Sequence, residues 1–280
     1  MHVYLGFGPI SLNLIHNLWP TKKVIISNHA NIEMIQQTVP GDFVFRRRTE
    51  VNQVLNGESV DLLVISTRPD AWESLSEFRN YLETLSSHKP KTVILLSSSA
   101  VYGNSKSSFD ESSELKPVTD YGIARMNAEL IVREVFQLES KLLILRISNV
   151  YHKAMQSGFL HEIKQSIKFS SELRVWFKGN IWRDYVSLNA VTESIVKLIE
   201  NKSDGVFNIG SGLPISVSEI LDFCESLGFN LKVNYEMIHE DKVAQRVYLD
   251  MSKFSETCKL ESFPRARVDF FSFLSEYLRS

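Results

Sequence analysis

An α/β fold, a parallel sheet covered by helices on both faces, is the architecture that three features of the sequence predict. Short apolar, β-branched runs alternate with longer amphipathic stretches through the first half of the chain. The runs are apolar enough to be buried on both faces, as parallel strands are. After Val150 the rhythm changes, which marks a second, smaller region of mixed structure.

In order, the strand-like runs are HVYLGF (2–7), KVIISN (23–28), FVF (43–45), DLLVIST (61–67), KTVILLSSS (91–99) and KLLILRISNV (141–150). Helical periodicity between them covers Ser11 to Leu18, Trp72 to Ser86 and Tyr121 to Phe136. In the second of these, Trp72, Leu75, Phe78, Leu82 and Leu85 fall on one side. Beyond Val150, FLHEIKQSIKF (159–169) reads as a helix, 173–188 as irregular or strand-like, and NAVTESIVKLIE (189–200) as an amphipathic helix. Residues 205–228 then predict a strand, a glycine-rich turn with Pro214, and a helix capped by Ser216 or Ser218. A polar loop occupies 103–117, and no internal repeat is present.

With 280 residues, 44% hydrophobic content and a net charge of -2, the chain has the composition of a globular protein and lacks the electrostatic footprint of a nucleic-acid binder. Arg46, Arg47 and Arg48 form a local basic cluster. Cys224 and Cys258 fit neither a disulfide framework nor a metal-ligand pattern, and the seven histidines lack metal-site spacing, so no metal is expected. The opening MHVYLGFGPISLNLIHNLW has no basic leader and is broken by Gly8-Pro9, and no run reaches the length of a membrane span. These features predict a soluble, cytoplasmic protein with no nucleic-acid or membrane partner.

YLGFGPIS (4–11) ends the first strand and opens a helix, the context in which a glycine-rich turn binds a dinucleotide. Gly6 permits the tight turn, Gly8 lets backbone approach a pyrophosphate, and Pro9 suits the first helical position. Phe7 and Ile10 complete the turn, and Ser11 stands where the third glycine would be. An ordinary strand-to-helix turn is the alternative. The second strand ends in Ser27 and Asn28, not in the carboxylate that accepts from an NAD ribose. With no anion there and Arg47 within the basic cluster, NADP is favoured over NAD, which stays possible; a solvated arginine run is the alternative.

LLSSSAVYGNS (95–105) follows a buried strand with three hydroxyls, and PVTDYGIARMNAEL (117–130) follows the polar loop. LRISNVY (145–151), WRDYVSLNAV (182–191) and VFNIGSG (206–212) come after them in that order. Here the chain resembles the extended short-chain dehydrogenase/reductase family, specifically its nucleotide-sugar epimerases, dehydratases and reductases. The resemblance implies a Rossmann-type doubly wound sheet from 1–151 and 182–210, with a substrate-binding region from 152–181 and 211–280. It implies that Ser98 bonds the reacting oxygen, that Tyr121 is the acid/base, and that Arg125 stands in for a lysine. It places Asn149 near the nicotinamide end and the substrate, Ser99 beside the substrate, and Arg183 on a diphosphate. A local Arg183–Asp184 ion pair is the alternative for the last.

The implied activity is NAD(P)-dependent epimerase or 4-keto reductase chemistry on a nucleotide-activated sugar. A catalytically weak member that only binds dinucleotide or nucleotide sugar, and an atypical reductase of a small carbonyl compound, are the alternatives. Some dehydratases of the family carry Asp-Glu after the catalytic hydroxyl residue; Ser99-Ala100 stands here, which disfavours dehydration. Tyr102 and Lys106 also have the Tyr-x-x-x-Lys spacing, but in a Gly/Asn/Ser loop where i and i+4 do not share a face. A phenol with a reference pKa of about 10 is a poor base at neutral pH, and a cation about 4 Å away stabilises its phenolate by about 4 kcal/mol at an effective dielectric near 20. Arg125 keeps that charge but replaces a compact ammonium by a planar fork. Related proteins pair through the helices beginning near Trp72 and Tyr121, so a homodimer is expected.

Overall fold

The structure, a computed structural model, describes residues 1–18, 22–26, 43–237, 243–259 and 266–280. Its strands are β1 (His2–Leu5), β2 (Lys23–Ile26), β3 (Phe43–Arg46), β4 (Leu62–Ile65), β5 (Thr92–Ser98), β6 (Lys141–Ile147), β7 (Asn149–Tyr151), β8 (Glu172–Trp176), β9 (Trp182–Ser187), β10 (Gly205–Ile209), β11 (Pro214–Ser216), β12 (Lys232–Glu236) and β13 (Arg246–Val247). Its helices are α1 (Pro9–Asn17), α2 (Val51–Leu55), α3 (Leu75–Ser86), α4 (Asp120–Phe136), α5 (Phe159–Phe169), α6 (Leu188–Glu200), α7 (Val217–Ser226), α8 (Ser252–Cys258) and α9 (Ala266–Arg279). The chain divides into two compact units, one of Met1–Ser98, Ile123–Arg146 and Leu188–Phe207, the other of Ser99–Gly122, Ile147–Ser187 and Asn208–Ser280.

The main sheet has the order β10-β6-β5-β4-β1-β2-β3. β1 pairs in parallel with β2 (His2 opposite Lys23) and with β4 (His2 opposite Leu62). The order of strands along the chain therefore reverses between β1 and β4, the place where doubly wound sheets open a crevice at the carboxyl ends of their strands. Alternation along the strands sends Val3, Leu5, Val24, Ile26, Leu63 and Leu95 to one face, where they pack with Phe78, Leu82, Val132 and Phe136 of α3 and α4. Tyr4, Ile25 and Val64 point the other way, and they are as fully buried as Leu14 of α1 and Val191 of α6. Coverage on both faces is why these strands read as uninterrupted apolar runs.

Differences from the expected boundaries have local causes. β1 stops at Leu5 because Gly6 takes φ +88°, and α1 starts two residues early, at Pro9 in its first turn. α3 starts at Leu75, where the Ser74 hydroxyl accepts from the Glu77 N–H at 3.0 Å, so Trp72 lies outside the helix and Leu75, in its first turn, is exposed.

In the second unit β9 pairs with β7 in parallel, with β11 antiparallel and with β13 in parallel, while β8 and β12 form a separate parallel pair. An aromatic cluster closes its core: the ring of Phe270 lies 4.7 Å from Tyr185 and 5.5 Å from Tyr151. Ser216, not Ser218, caps α7. Its hydroxyl accepts from the Glu219 N–H at 3.1 Å, and the Glu219 carboxylate accepts from the Ser216 N–H at 2.8 Å.

Candidate active site

The turn after β1 is built by two glycines with different reasons. A Cβ on Gly6 would stand 2.9 Å from both Ser66 Oγ and Thr67 N, so the turns after β1 and β4 meet backbone to backbone at the switch point. Gly8 has no such neighbour among the described residues: a Cβ there would meet none of their atoms within 4 Å. Among the described residues no side chain caps α1, whose first amides follow Gly8 and Pro9. An uncapped helix N-terminus fronted by open backbone fits a pyrophosphate, so the residues present can hold a dinucleotide. Ser11 is fully buried and its Oγ has no hydrogen-bond partner among the described residues, so the serine in the third glycine position is accommodated there without one.

Of the ribose-end candidates, Ser27 and Asn28 lie outside the described residues. Arg47 is exposed; its N–H donates to Glu50 Oε2 at 2.8 Å, and its guanidinium has no ion pair among the described residues. Arg48 is committed to structure, its guanidinium 3.4 Å over the Trp72 ring.

Ser98 is the last residue of β5, and Ser99 is buried in the 3₁₀ turn Ser99–Val101 that follows. Tyr102 is spent on packing: its hydroxyl donates to Asn208 Oδ1 at 2.7 Å and its ring stacks on Phe109 at 4.7 Å. Gly103, at φ +92°, turns the chain where a Cβ would lie 2.1 Å from Lys116 O, so the Tyr102–Lys106 spacing is not helical. Thr119 caps α4, its Oγ1 accepting from the Gly122 N–H at 3.1 Å. A Cβ on Gly122 would lie 2.5 Å from Ala100 O, so this glycine seats the start of α4 against the turn that follows Ser99. Tyr121 leads the helix, 38% exposed. One turn on, the Arg125 Nη1 donates to Leu96 O at 2.8 Å and to Thr67 O at 3.4 Å, which fixes the guanidinium at the ends of β4 and β5.

The second unit holds a cleft of ≈ 480 Å³ lined by Asn149, Phe159, Arg174, Trp176, Arg183 and Tyr185 among others. Arg183 donates to Ala244 O at 2.6 Å, to Gln245 O at 3.3 Å and to Trp182 O at 2.9 Å. Carbonyls orient a guanidinium without cancelling its charge. Asp184, next in β9, faces the opposite way and makes no ion pair with Arg183: Oδ1 accepts from Ser211 N at 2.7 Å and Oγ at 2.7 Å, and Oδ2 from Gly212 N at 3.0 Å. Burial pushes the Asp184 carboxyl up while these donors pull it down. A Cβ on Gly210 would lie 2.4 Å from Asp184 Oδ2, which explains the glycine of the NIGSG stretch. Burial pushes the Tyr185 phenol up to about 12, with Arg183 acting in the opposite sense. The Asn149 side chain donates to Asp184 O at 3.1 Å. Arg174 and Trp176 are additions to the residues singled out in the sequence, and the alternation of ELRVW, with 172, 174 and 176 exposed, is the signal that marks them.

Residues 67–210, just over half of the chain, match the family model for the NAD dependent epimerase/dehydratase family. The chain belongs to this family. Among curated family relatives, it is 26% identical over 176 residues to the Escherichia coli dTDP-4-dehydro-6-deoxyglucose reductase, covering 58% of this chain and 54% of that protein. It is 28% identical over 203 residues to a putative UDP-arabinose 4-epimerase of Arabidopsis thaliana, covering 62% of this chain and 48% of that one. The matched parts thus amount to about half the length of these relatives. Among solved structures, the Bacillus cereus UDP-glucuronic acid 4-epimerase in complex with UDP-glucuronic acid and NAD superposes with a TM-score of 0.80 at 18% identity, covering 100% of this chain and 99% of that one. This likeness establishes the Rossmann-like fold. No described helix of this family member is long and apolar enough to cross a membrane.

Proposed function

We propose that this protein is an NAD(P)-dependent epimerase or 4-keto reductase of a nucleotide-activated sugar. The observation that carries the reading is the cleft of the second unit, where Arg183 is held by carbonyls and Arg174 lines the same wall with Glu162, and neither arginine takes part in a salt bridge among the described residues. Two guanidiniums beside an exposed indole, with the single carboxylate of Glu162 among the described lining residues, suit a diphosphate joined to a flat base. Neither is needed by a reductase of a small uncharged carbonyl.

In this reading 1–151 with 182–210 bind the dinucleotide, and 152–181 with 211–280 bind the sugar nucleotide. Gly6, Phe7, Gly8, Pro9 and Ile10 receive the pyrophosphate, while Ser27, Asn28 and Arg47 receive the adenosine ribose, so that NADP binds more tightly than NAD. Bound cofactor supplies the acceptor and donor of a hydride. Ser98 holds the reacting oxygen, and Tyr121 carries its proton. Arg125 supplies the positive charge, Ser99 and Asn149 border the sugar, and Arg183 binds the diphosphate. Ser99-Ala100 offers no acid–base pair for loss of water. The protein works in the cytoplasm as a homodimer, with the exposed Ile123 and Leu130 of α4 in the contact.

A second reading, a member that binds these ligands without turning them over, is favoured by Arg125, whose guanidinium donates to strand-end carbonyls. Turnover of a panel of nucleotide sugars with NAD(H) and NADP(H), by the parent and by Tyr121→Phe, separates the two. Turnover by the parent and loss in Tyr121→Phe is the expected result. Ligand binding without any turnover establishes the second reading, and equal turnover by both makes Tyr121 a packing residue.

A further inference from the structure

Glu129 lies one turn beyond Arg125 on α4 and is buried, 2% exposed, together with Arg146 of β6 at 4%. Its carboxylate accepts from three directions: from Ser97 Oγ at 2.6 Å, from Arg146 Nε at 3.1 Å, and from Arg146 Nη2 at 2.9 Å. Ser97 stands in β5 between Leu96, whose carbonyl accepts from Arg125 at 2.8 Å, and Ser98. Two successive turns of α4 are thus tied to two successive residues of β5, one through Arg125 and one through Glu129.

We propose that Glu129 is a positioning residue: clamped between β5 and β6, it fixes the register of α4 on the sheet and so sets where the Arg125 guanidinium stands at the end of β5. The catalytic consequence rests on the functional reading above. A role in stability alone is the weaker account. The desolvation of two buried charges roughly offsets their attraction, and well-packed apolar residues in the same place are often as stable or more so. What apolar residues do not supply is direction. A leucine at 129 tolerates sliding of the helix by a fraction of a turn, whereas a carboxylate bonded to a fixed serine and a fixed guanidinium does not. A rise of about 1.5 Å per residue means that a slip of even one residue breaks both ties to β5.

The test uses Glu129→Gln, which keeps the shape and the Ser97 bond, and the apolar triple variant Ser97→Ala/Glu129→Leu/Arg146→Met. The triple variant is expected to melt within a few degrees of the parent yet to lose about tenfold or more in kcat, with KM for the nucleotide sugar unchanged within twofold. In an Arg125→Ala background, Glu129→Gln should cause no further loss, because its effect passes through Arg125. A readout independent of turnover is the NMR signal of the Arg125 guanidinium N–H groups, identified by its disappearance in Arg125→Lys; both Glu129 variants should shift it and speed its exchange with water about tenfold. Parental kcat and a parental Arg125 signal in the triple variant would overturn the proposal, as would equal effects of Glu129→Gln with and without Arg125. Should the triple variant not fold, Glu129→Gln alone decides by the same signal. If the parent turns over no nucleotide sugar, the functional reading fails, and an unchanged Arg125 signal in Glu129→Gln then overturns the positioning role separately.

Discussion

Replacing Gly122 by alanine tests how closely the start of α4 is seated. In an unconstrained helix this change stabilises by about 0.5–1 kcal/mol, because glycine loses more backbone freedom on folding. Here the new Cβ would lie 2.5 Å from Ala100 O and 2.9 Å from Pro117 Cβ, neither of which is the free end of a flexible chain. A carbon needs about 3.3 Å from a carbonyl oxygen, so the first turn of α4 has to retreat by roughly 0.8 Å. Overpacking of this kind costs about 1–3 kcal/mol, which reverses the sign expected from propensity and leaves a net loss of up to about 2.5 kcal/mol. With Tyr121, the residue before it, as the proton carrier of the proposed function, the larger effect falls there, since a displacement near 1 Å lowers turnover by about a hundredfold. Thermal unfolding and steady-state kinetics of Gly122→Ala read both effects, a melting point a few degrees lower and kcat near one per cent of the parent. A variant that melts higher than the parent and turns over equally well would show that α4 is not seated by this contact and that the placement of Tyr121 does not depend on it.

Gly8→Ala, whose Cβ meets no described atom within 4 Å, should leave the melting point of the cofactor-free protein unchanged and weaken dinucleotide binding at least tenfold by calorimetry, because in the proposed function the methyl occupies the space of the pyrophosphate. Arg183→Ala should weaken nucleotide-sugar binding by about 1.5–3 kcal/mol with dinucleotide affinity unchanged, which titration of each ligand checks. Glu219 is opposed by burial, but its bonds to Ser216 and Arg267 hold its carboxyl below the usual carboxylate range. Its contribution to stability is therefore present above the unfolded pKa of about 4.3 and is lost as pH falls through the lower folded value, so the melting difference between the parent and Glu219→Gln should shrink in acid.

The sheet was legible because strands buried on both faces leave uninterrupted apolar runs, and the helices because α3 buries the stripe of Phe78, Leu82 and Leu85 and α4 that of Ala128, Val132 and Phe136. The ends of elements were less legible. Whether a helix begins at Trp72 or Leu75 depends on the Ser74 cap, and the aromatic stripe continues through Trp72, which packs on Phe78 and Tyr81 without being helical. Within the site, Gly6 and Gly8 look alike in sequence, yet one is required by a neighbouring backbone and the other opens a space. The buried partnership of Ser97, Glu129 and Arg146 was not legible at all, since its members come from three elements and no spacing links them.

β9 shows how a motif can be read correctly as a unit and wrongly as a pair. Arg183 and Asp184 are adjacent and oppositely charged, which in sequence suggests that each neutralises the other. Strand alternation separates them: Asp184 turns inward to hold the 210–212 loop through the Ser211 and Gly212 amides, and Arg183 lines the cleft, where its described hydrogen-bond partners are the carbonyls of Trp182, Ala244 and Gln245. The inward carboxylate lies among the donors of backbone that must turn sharply, so its charge is consumed there and is not available across the strand. The guanidinium is consequently not neutralised by Asp184, although the sequence places that acid beside it. Two adjacent opposite charges on a strand thus need not pair with each other, provided that the acid has amides of its own to satisfy.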